Sequence, residues 1–498
     1  MSLMDPTTLL FLLVFTMTFL WIMRSFWNAS GRNLPPGPRP WPLIGNLHLL
    51  DLKRPYRTMC ELSEQYGSVF SIQLGLQKMV VLAGCETIKE ALVNQADAFA
   101  ERPLIPIFED TLGGYGIVFS HGENWKVMRR FTLTTLRDYG MGKKTIEDKI
   151  VEECHFLIQK FESFERNPFE TVTIMHAVAA NIIASILLGK RYGYEDTTFV
   201  RLLNLVNEDN QNLGDPAIML YNQFPSLGSL FDVPKKFMKN RGKMKAFIQA
   251  AIVEHLKELD ENDQRNLLDS FLIQQREEKK NKITRFFHNE NLTILVDNLF
   301  GAGMSPIATT LSWGLLLMMR YPEIQKKVQK EIAEVIGSAQ PRIEHRTKLP
   351  YTNAVIHEIQ RFANILPTSM PHETTTDVTL KGYFIPKGTQ IVVLLSSVLY
   401  DESQWEKPLK FYPEHFLDSE GNFVKRDAFM PFSAGRRMCA GKTLAKMELF
   451  LFFTSLLQRF TFQPAPGISA EDLDLTPVVG FSANPVPFKL CALPRSLH

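Results

Sequence analysis

Residues 430–441 read Met-Pro-Phe-Ser-Ala-Gly-Arg-Arg-Met-Cys-Ala-Gly. Pro431, Gly435 and Gly441 punctuate this stretch, and no period of 2 or 3.6 runs through it. Directly afterwards Leu444, Met447 and Leu451 fall at i, i+3 and i+7, which predicts a helix. Cys439 is therefore expected in a loop just ahead of a helix start. There the dipole and the free N–H groups favour a thiolate, and Arg436 and Arg437 add positive charge. A soft, ionised sulfur in a basic loop is suited to ligate a metal or to act as a nucleophile. A buried structural cysteine is the plainer alternative.

Other chemistry-bearing residues lie at helical spacings. Trp125 and Arg129 are i, i+4 and share a face, as do Glu358 and Arg361 at i, i+3, where they can form an ion pair. His415, in Pro-Glu-His-Phe, is a candidate third partner for Glu358. The apolar segment 291–320 must be a core helix, and it carries Phe300, Ala302, Gly303, Ser305, Pro306 and Thr309. Pro306 has no N–H and crowds the carbonyl four residues back, that of Ala302. Ser305 points about 100° round the helix from position 306, and Thr309 is one turn on from Pro306 on its face.

Phe432, Gly435, Arg437, Cys439 and Gly441 fit Phe-x-x-Gly-x-Arg-x-Cys-x-Gly, which resembles the haem-ligand signature of the cytochrome P450 superfamily at every fixed position. The resemblance extends over nearly the whole chain and is nearest to the microsomal family 2. It implies haem b with Cys439 as the axial thiolate on iron, a ligand that favours O–O cleavage. It implies that Arg437, Trp125 and Arg129 contact the haem propionates, with Arg102 and His372 matching on local context alone, that Gly435 lets backbone approach the porphyrin, and that Gly441 lets the following helix pack near it. Glu358 and Arg361 would lock the core below the haem. Ala302, Gly303 and Thr309 would flank the oxygen site. Val118, Phe119, Phe300, Ala302, Ile365, Leu366, Thr368, Val479, Phe481 and Ser482 match positions lining an apolar substrate pocket, with ordinary core packing as the alternative for each.

The implied reaction inserts one atom of O2 into an apolar small molecule such as a fatty acid, a steroid or a xenobiotic. Electrons would come from NADPH through a cytochrome P450 reductase, with cytochrome b5 as a second candidate donor. Lys126, Arg130, Arg137, Lys442 and Lys446 are candidates for the docking face. One departure is chemical: most relatives carry an acid and a threonine where this chain has Ser305 and Pro306. Relatives that rearrange lipid hydroperoxides without external electrons often lack that threonine, so a haem-thiolate isomerase or dehydratase is the alternative. A haem-binding protein without turnover is a third class.

The chain has 498 residues, 45% of them apolar, and a net charge of +2, which gives no electrostatic reason to expect nucleic acid as a partner. Its five cysteines are scattered, unlike a disulfide framework. Residues 6–23 are uncharged and about long enough to cross a bilayer. Asp5 precedes them and Arg24 and Arg32 follow, so an uncleaved anchor with a cytosolic C-terminal bulk is expected, in the endoplasmic reticulum membrane by resemblance. The sequons at Asn28 and Asn291 would then stay unmodified. The reading is an anchor over 1–24, a basic and proline-rich hinge over 25–40, and a catalytic domain over 41–498. The fold expected is mainly α (α+β), helix-rich with small sheets, plus the one transmembrane helix. Two strands are expected at 69–74 and 79–82. The roof segment 200–240 combines Lys235 and Lys236 with Phe237 and Met238 and is a candidate for membrane contact. Residues 257–291 are strongly charged and are expected to be a solvated helix end and loop.

Overall fold

A computed structural model describes residues 5–27, 33–139, 144–260, 263–281, 285–478 and 480–496. Two compact units emerge: Met1–Pro103 with Met370–Leu394, and Leu104–Ser369 with Leu395–His498.

The first unit is built on a four-stranded sheet. Val69–Leu74 and Gln77–Leu82 form an antiparallel hairpin in the register Phe70↔Val81, and Gly75, at φ +58°, supplies the turn. The second strand thus begins two residues earlier than expected. Gln390–Val393 adds in parallel beside it, and His372–Glu373 closes the edge antiparallel. The proline segment is more than a connector. The Ser71 N–H donates to the Pro36 carbonyl at 2.7 Å and the Ser71 hydroxyl to that of Pro35 at 3.1 Å. A Cβ on Gly37 would meet the Ser71 carbonyl oxygen at 2.0 Å, so only glycine allows this approach. The unit also contains helix Pro6–Trp27, on which Leu10, Phe11, Phe15, Phe19 and Leu20 are exposed.

The second unit is helical and centred on Asn289–Arg320. By length and composition this helix could cross a membrane, but most of it is buried in protein, as a core helix must be. It packs on Val172–Leu187 so closely that a Cβ on Gly303 would lie 2.9 Å from Ile183 Cγ1. Lower down, Gly314 lies against Phe453 of helix Lys442–Arg459 and Ile359 of helix Pro350–Ala363. A small sheet of Phe169–Glu170, Lys489–Pro494 and Phe460–Pro464 completes this unit.

Two expectations are corrected here. Within 257–291, Leu267–Lys280 is a helix capped by the Asn266 side chain, and it buries Leu267, Leu268, Phe271 and Leu272. Its charge run occupies only the last turns, and the apolar stripe ahead of them decides its fate. In the roof, Phe237 of helix Asp232–Lys257 is buried with Ile107, Ile218 and Tyr221; the exposed apolar side chains are Leu227, Leu230 and Phe231.

Candidate haem-thiolate site

Cys439 sits three residues ahead of helix Lys442–Arg459. The loop is closed by the Cys439 N–H donating to the Phe432 carbonyl at 3.1 Å and the Met438 N–H to that of Gly435 at 3.2 Å. Ser433 and Gly435, at φ +57° and +73°, make the bend. The Cys439 side chain opens onto accessible space, yet the surrounding protein is dense enough that burial is the largest influence on its thiol. The expectation that the loop alone favours a thiolate is therefore corrected: burial pushes the thiol up. Opposing it are N–H groups of Gly441 and Lys442 and the charges of Arg129 and Lys442. A cation such as a metal would complete what these groups begin, because coordination deprotonates a thiol outright.

The arginines expected beside the sulfur are arranged differently. Arg437 donates to the Ser120 carbonyl at 2.9 Å and lies 3.8 Å over the Trp125 ring, while Arg436 is exposed. Arg129 donates to the Met438 carbonyl at 2.6 Å, and burial lowers its pKa. Trp125 and Arg129 do share a face of helix Gly122–Asp138. Sequence reasoning named Lys442 for the docking face and Arg129 for a propionate, but missed the electrostatic effect of both on the sulfur, because the fold of the loop brings both near it.

The site fits a haem on three observations. Trp125 Nε1 is buried with no acceptor among the described residues, as an acid oxygen would supply. A Cβ on Gly441 would meet nothing within 4 Å. The Cys439 sulfur opens onto accessible space from a loop whose N–H groups point at it. Phe432 is half-buried at the start of the loop.

The central helix is least buried where its composition is oddest. Gly301, Gly303, Ser305 and Pro306 are partly accessible, and Ala302 is the one exposed residue beyond the first turn. Ala302 is the residue whose carbonyl Pro306 leaves without a helical N–H. Thr309, expected to flank the oxygen site, is 2% exposed and donates to Asn484 Oδ1 at 2.6 Å. Thr310 donates to the Pro306 carbonyl at 2.7 Å, whereas Ser305 Oγ has no protein partner among the described residues.

Glu358 and Arg361 form the expected pair, wholly buried. Arg361 donates from Nε and Nη2 to both carboxylate oxygens at 2.8 and 2.7 Å. Its remaining N–H groups reach the carbonyls of Leu399, Pro408 and Lys410. His415 Nε2 accepts from the Lys407 N–H at 3.1 Å, so its proton is on Nδ1, which donates to Glu358 at 3.2 Å. In the first unit, Arg102 and His372 are both buried; Arg102 reaches the Pro371 carbonyl, and His372 Nδ1 lies 2.8 Å from that of Phe99.

Of the pocket residues, Val118 and Ile117 N–H groups donate to Asn298 Oδ1 of the central helix. Phe119 is buried and stacks on Phe108 at 3.8 Å. Phe300 is buried, and Ile365, Leu366 and Thr368 are half-buried. The Ile365 carbonyl accepts from Ala483, next to buried Ser482, and Phe481 is 37% exposed. Val479 lies outside the described residues, as does Asn28. Asn291 is buried and hydrogen-bonded to the Gly116 N–H, Asn124 and the Phe286 carbonyl, which leaves its amide no room for a glycan.

A model of the cytochrome P450 family matches residues 35–492. The chain belongs to the cytochrome P450 family. It is 51% identical over 486 residues to cytochrome P450 2K4 of Oncorhynchus mykiss, covering 96% of each chain. To cytochrome P450 2K6 of Danio rerio it is 52% identical over 456 residues, covering 91% of this chain and 90% of the relative. To cytochrome P450 2C5 of Oryctolagus cuniculus it is 44% identical over 494 residues, covering 99% and 100%. These relatives place it with family 2, and it is a haem-dependent P450 monooxygenase.

Proposed function

We propose that Cys439 is the axial thiolate of a haem b, and that the enzyme hydroxylates apolar small molecules of the fatty acid, steroid or xenobiotic class with electrons from NADPH delivered by a reductase. The observation that carries this is the Cys439 loop, with N–H groups and cations converging on an accessible sulfur. When bound, the haem supplies O2 binding and activation. Around it, Trp125 Nε1, Arg129 and Arg437 orient and neutralise the propionates, and Phe432, Gly435 and Gly441 shape the floor. Val118, Phe119, Phe300, Ile365, Leu366, Thr368, Val479 and Phe481 bind the substrate by apolar contact. Ala302 and Gly303 line the oxygen site. Thr309, tied to Asn484, braces the helix from behind. Glu358, Arg361 and His415 hold the chain beneath the thiolate loop.

Lys126, Arg130, Arg137, Lys442 and Lys446 give a cationic surface for an acidic redox partner, reductase or cytochrome b5. Residues 1–24 anchor the protein in the endoplasmic reticulum membrane with the catalytic domain, 41–498, cytosolic. Its exposed apolar helix supports that reading. The loss of the acid and threonine at Ser305 and Pro306 also suits a peroxide isomerase.

The test reconstitutes the full chain with reductase and NADPH in lipid and follows NADPH, peroxide and product from a panel of apolar substrates. NADPH-dependent hydroxylated product is the expected result. Rearrangement of a lipid hydroperoxide without NADPH, and no hydroxylation with it, would replace this function with the isomerase.

A further inference from the structure

Hydroxylation balances as RH + O2 + 2 e− + 2 H+ → ROH + H2O, so two protons must reach the oxygen site for each product formed. The groups best suited by position at 305 and 306 are absent: a serine and a proline stand there. A different pair of acids meets further up, one on the same helix and one on a neighbouring helix. Asp297 of the central helix and Asp209 of helix Thr197–Asn212 both contact Arg241 of helix Asp232–Lys257, the Asp209 Oδ2 at 3.4 Å from Nη1. Two carboxylates share one guanidinium, which leaves one negative charge in excess. Asp209 is 3% exposed, and its Oδ1 has no hydrogen-bond partner among the described residues. A buried oxygen of that kind is costly as an anion and cheap as an acid.

Asp297, Gly301 and Ser305 follow at i, i+4 and i+8, stepping about 40° round the helix per turn. Asp297 is buried, a Cβ on Gly301 would meet nothing within 4 Å, and Ser305 is accessible with no protein partner among the described residues for its hydroxyl. The rise from Asp297 to Ser305 is about 12 Å, a span that a few waters bridge. We propose that Asp209 and Asp297 are the acid reservoir of this oxygenase, passing protons along water held at the open face of Gly301 to Ser305 Oγ beside Ala302. The proposal rests on the monooxygenase reading and deepens it: the acid has moved two turns up the helix.

Each transfer moves one proton from a carboxyl to water and from water to Ser305 Oγ, which releases its own proton into the notch at Ala302. The carboxylate regains a proton from solvent on the side of Glu208, which Asn240 Nδ2 contacts at 2.6 Å. The groups facing the cluster fit this role. Burial raises Asp209 to about 6, against the pull of Arg241 and Asn240, and Asp297 adds to the rise. Burial also raises Asp297, against Arg241 and Asn298. Glu208 is held low by Lys236, Asn240 and Lys243, so it stays ionised at the entrance. Among the described residues of the C-terminal loop, the groups next to Asp209 are neutral: the Ser482 hydroxyl and the Phe481 N–H, both on Asn210.

The test uses the full-length holoenzyme with reductase, and two readouts. The first is infrared titration of the resting protein, in which a protonated carboxyl band should disappear with a midpoint near pH 6 and be absent from Asp209→Asn. The second is peroxide released per NADPH across pH. In the wild type it should rise above pH 6. In Asp209→Asn and in Ser305→Ala it should sit about tenfold higher at low pH, a small share of what general acid catalysis contributes. The double variant should match the singles, and Asp209→Glu should restore coupling. Gly301→Val, which leaves the cluster untouched, should uncouple similarly. No titrating carboxyl, or coupling that is independent of pH and of all these substitutions, would overturn the proposal. Absence of NADPH-dependent product in the wild type would overturn the monooxygenase reading instead, and the infrared titration would still judge the acid.

Discussion

At the scale of single residues, the electrostatics at Cys439 set burial against a ring of N–H groups and cations, and burial wins until a metal arrives. The Cys439 motif was legible in the sequence because its five fixed residues fall within one short stretch, 432–441. The cations that act on the sulfur were not, since Arg129 comes from a distant helix and Arg437 turns away to Ser120 and Trp125. The same limit misplaced Thr309: helical spacing gave its face, but not the neighbour, Asn484, that takes its hydroxyl proton. Ser305 and Pro306 stand where the family resemblance leads one to expect an acid and a threonine. The double substitution Ser305→Glu with Pro306→Thr returns an acid and an alcohol to the notch beside Ala302. It should lower peroxide release per NADPH several-fold above pH 6, where Asp209 is ionised, measured against product in the reconstituted system. Unchanged coupling at that pH would mean that the native helix delivers protons without needing a protonated Asp209.

At the scale of elements, the Glu358–Arg361 pair joins helix Pro350–Ala363 to the segment 399–415 through Leu399, Pro408, Lys410, Tyr412 and His415. Its i, i+3 spacing was visible in sequence; the carbonyls that saturate Arg361 were not, because irregular chain has no period to read. Arg361→Leu should cost about 3–5 kcal/mol in chemical denaturation, the typical loss when one partner of a buried pair is removed. A cost below about 1 kcal/mol, the range of a surface pair, would contradict this. The roof cluster makes a prediction of opposite sign. Asp209 is raised in the folded state to about 6 from an ordinary 3.8. Its contribution to stability is therefore fully present below its unfolded value and lost as pH rises through about 6. Asp209→Asn removes that loss, so the variant should gain stability relative to wild type on going from pH 5 to pH 8, as followed by denaturant midpoint. A gap between the two that is independent of pH would contradict the burial assigned to this carboxyl.

At the scale of the whole molecule, the helix-rich class with small sheets was legible because long apolar periods dominate the chain. The charged stretch 257–291 misled because its net polarity hid the stripe of Leu267, Leu268, Phe271 and Leu272. The proline segment read as a connector, yet Gly37 and Ser71 dock it on a strand, a contact between residues far apart in sequence. Membrane contact is expected from two places, helix Pro6–Trp27 and the exposed Leu227, Leu230 and Phe231. Removing residues 1–27 should weaken vesicle flotation without abolishing it, and adding Leu230→Ser with Phe231→Ser should abolish it. Full release by the truncation alone would assign the membrane contact to the helix only.

The central claim is that sulfur at position 439 holds the haem iron. The ferrous carbonyl spectrum of the purified full-length protein measures this directly. A long-wavelength Soret band characteristic of thiolate ligation is the expected result, shifted to the imidazole type in Cys439→His with haem still bound. An imidazole-type band in the wild type, or a folded wild-type protein that takes up no haem, would contradict it.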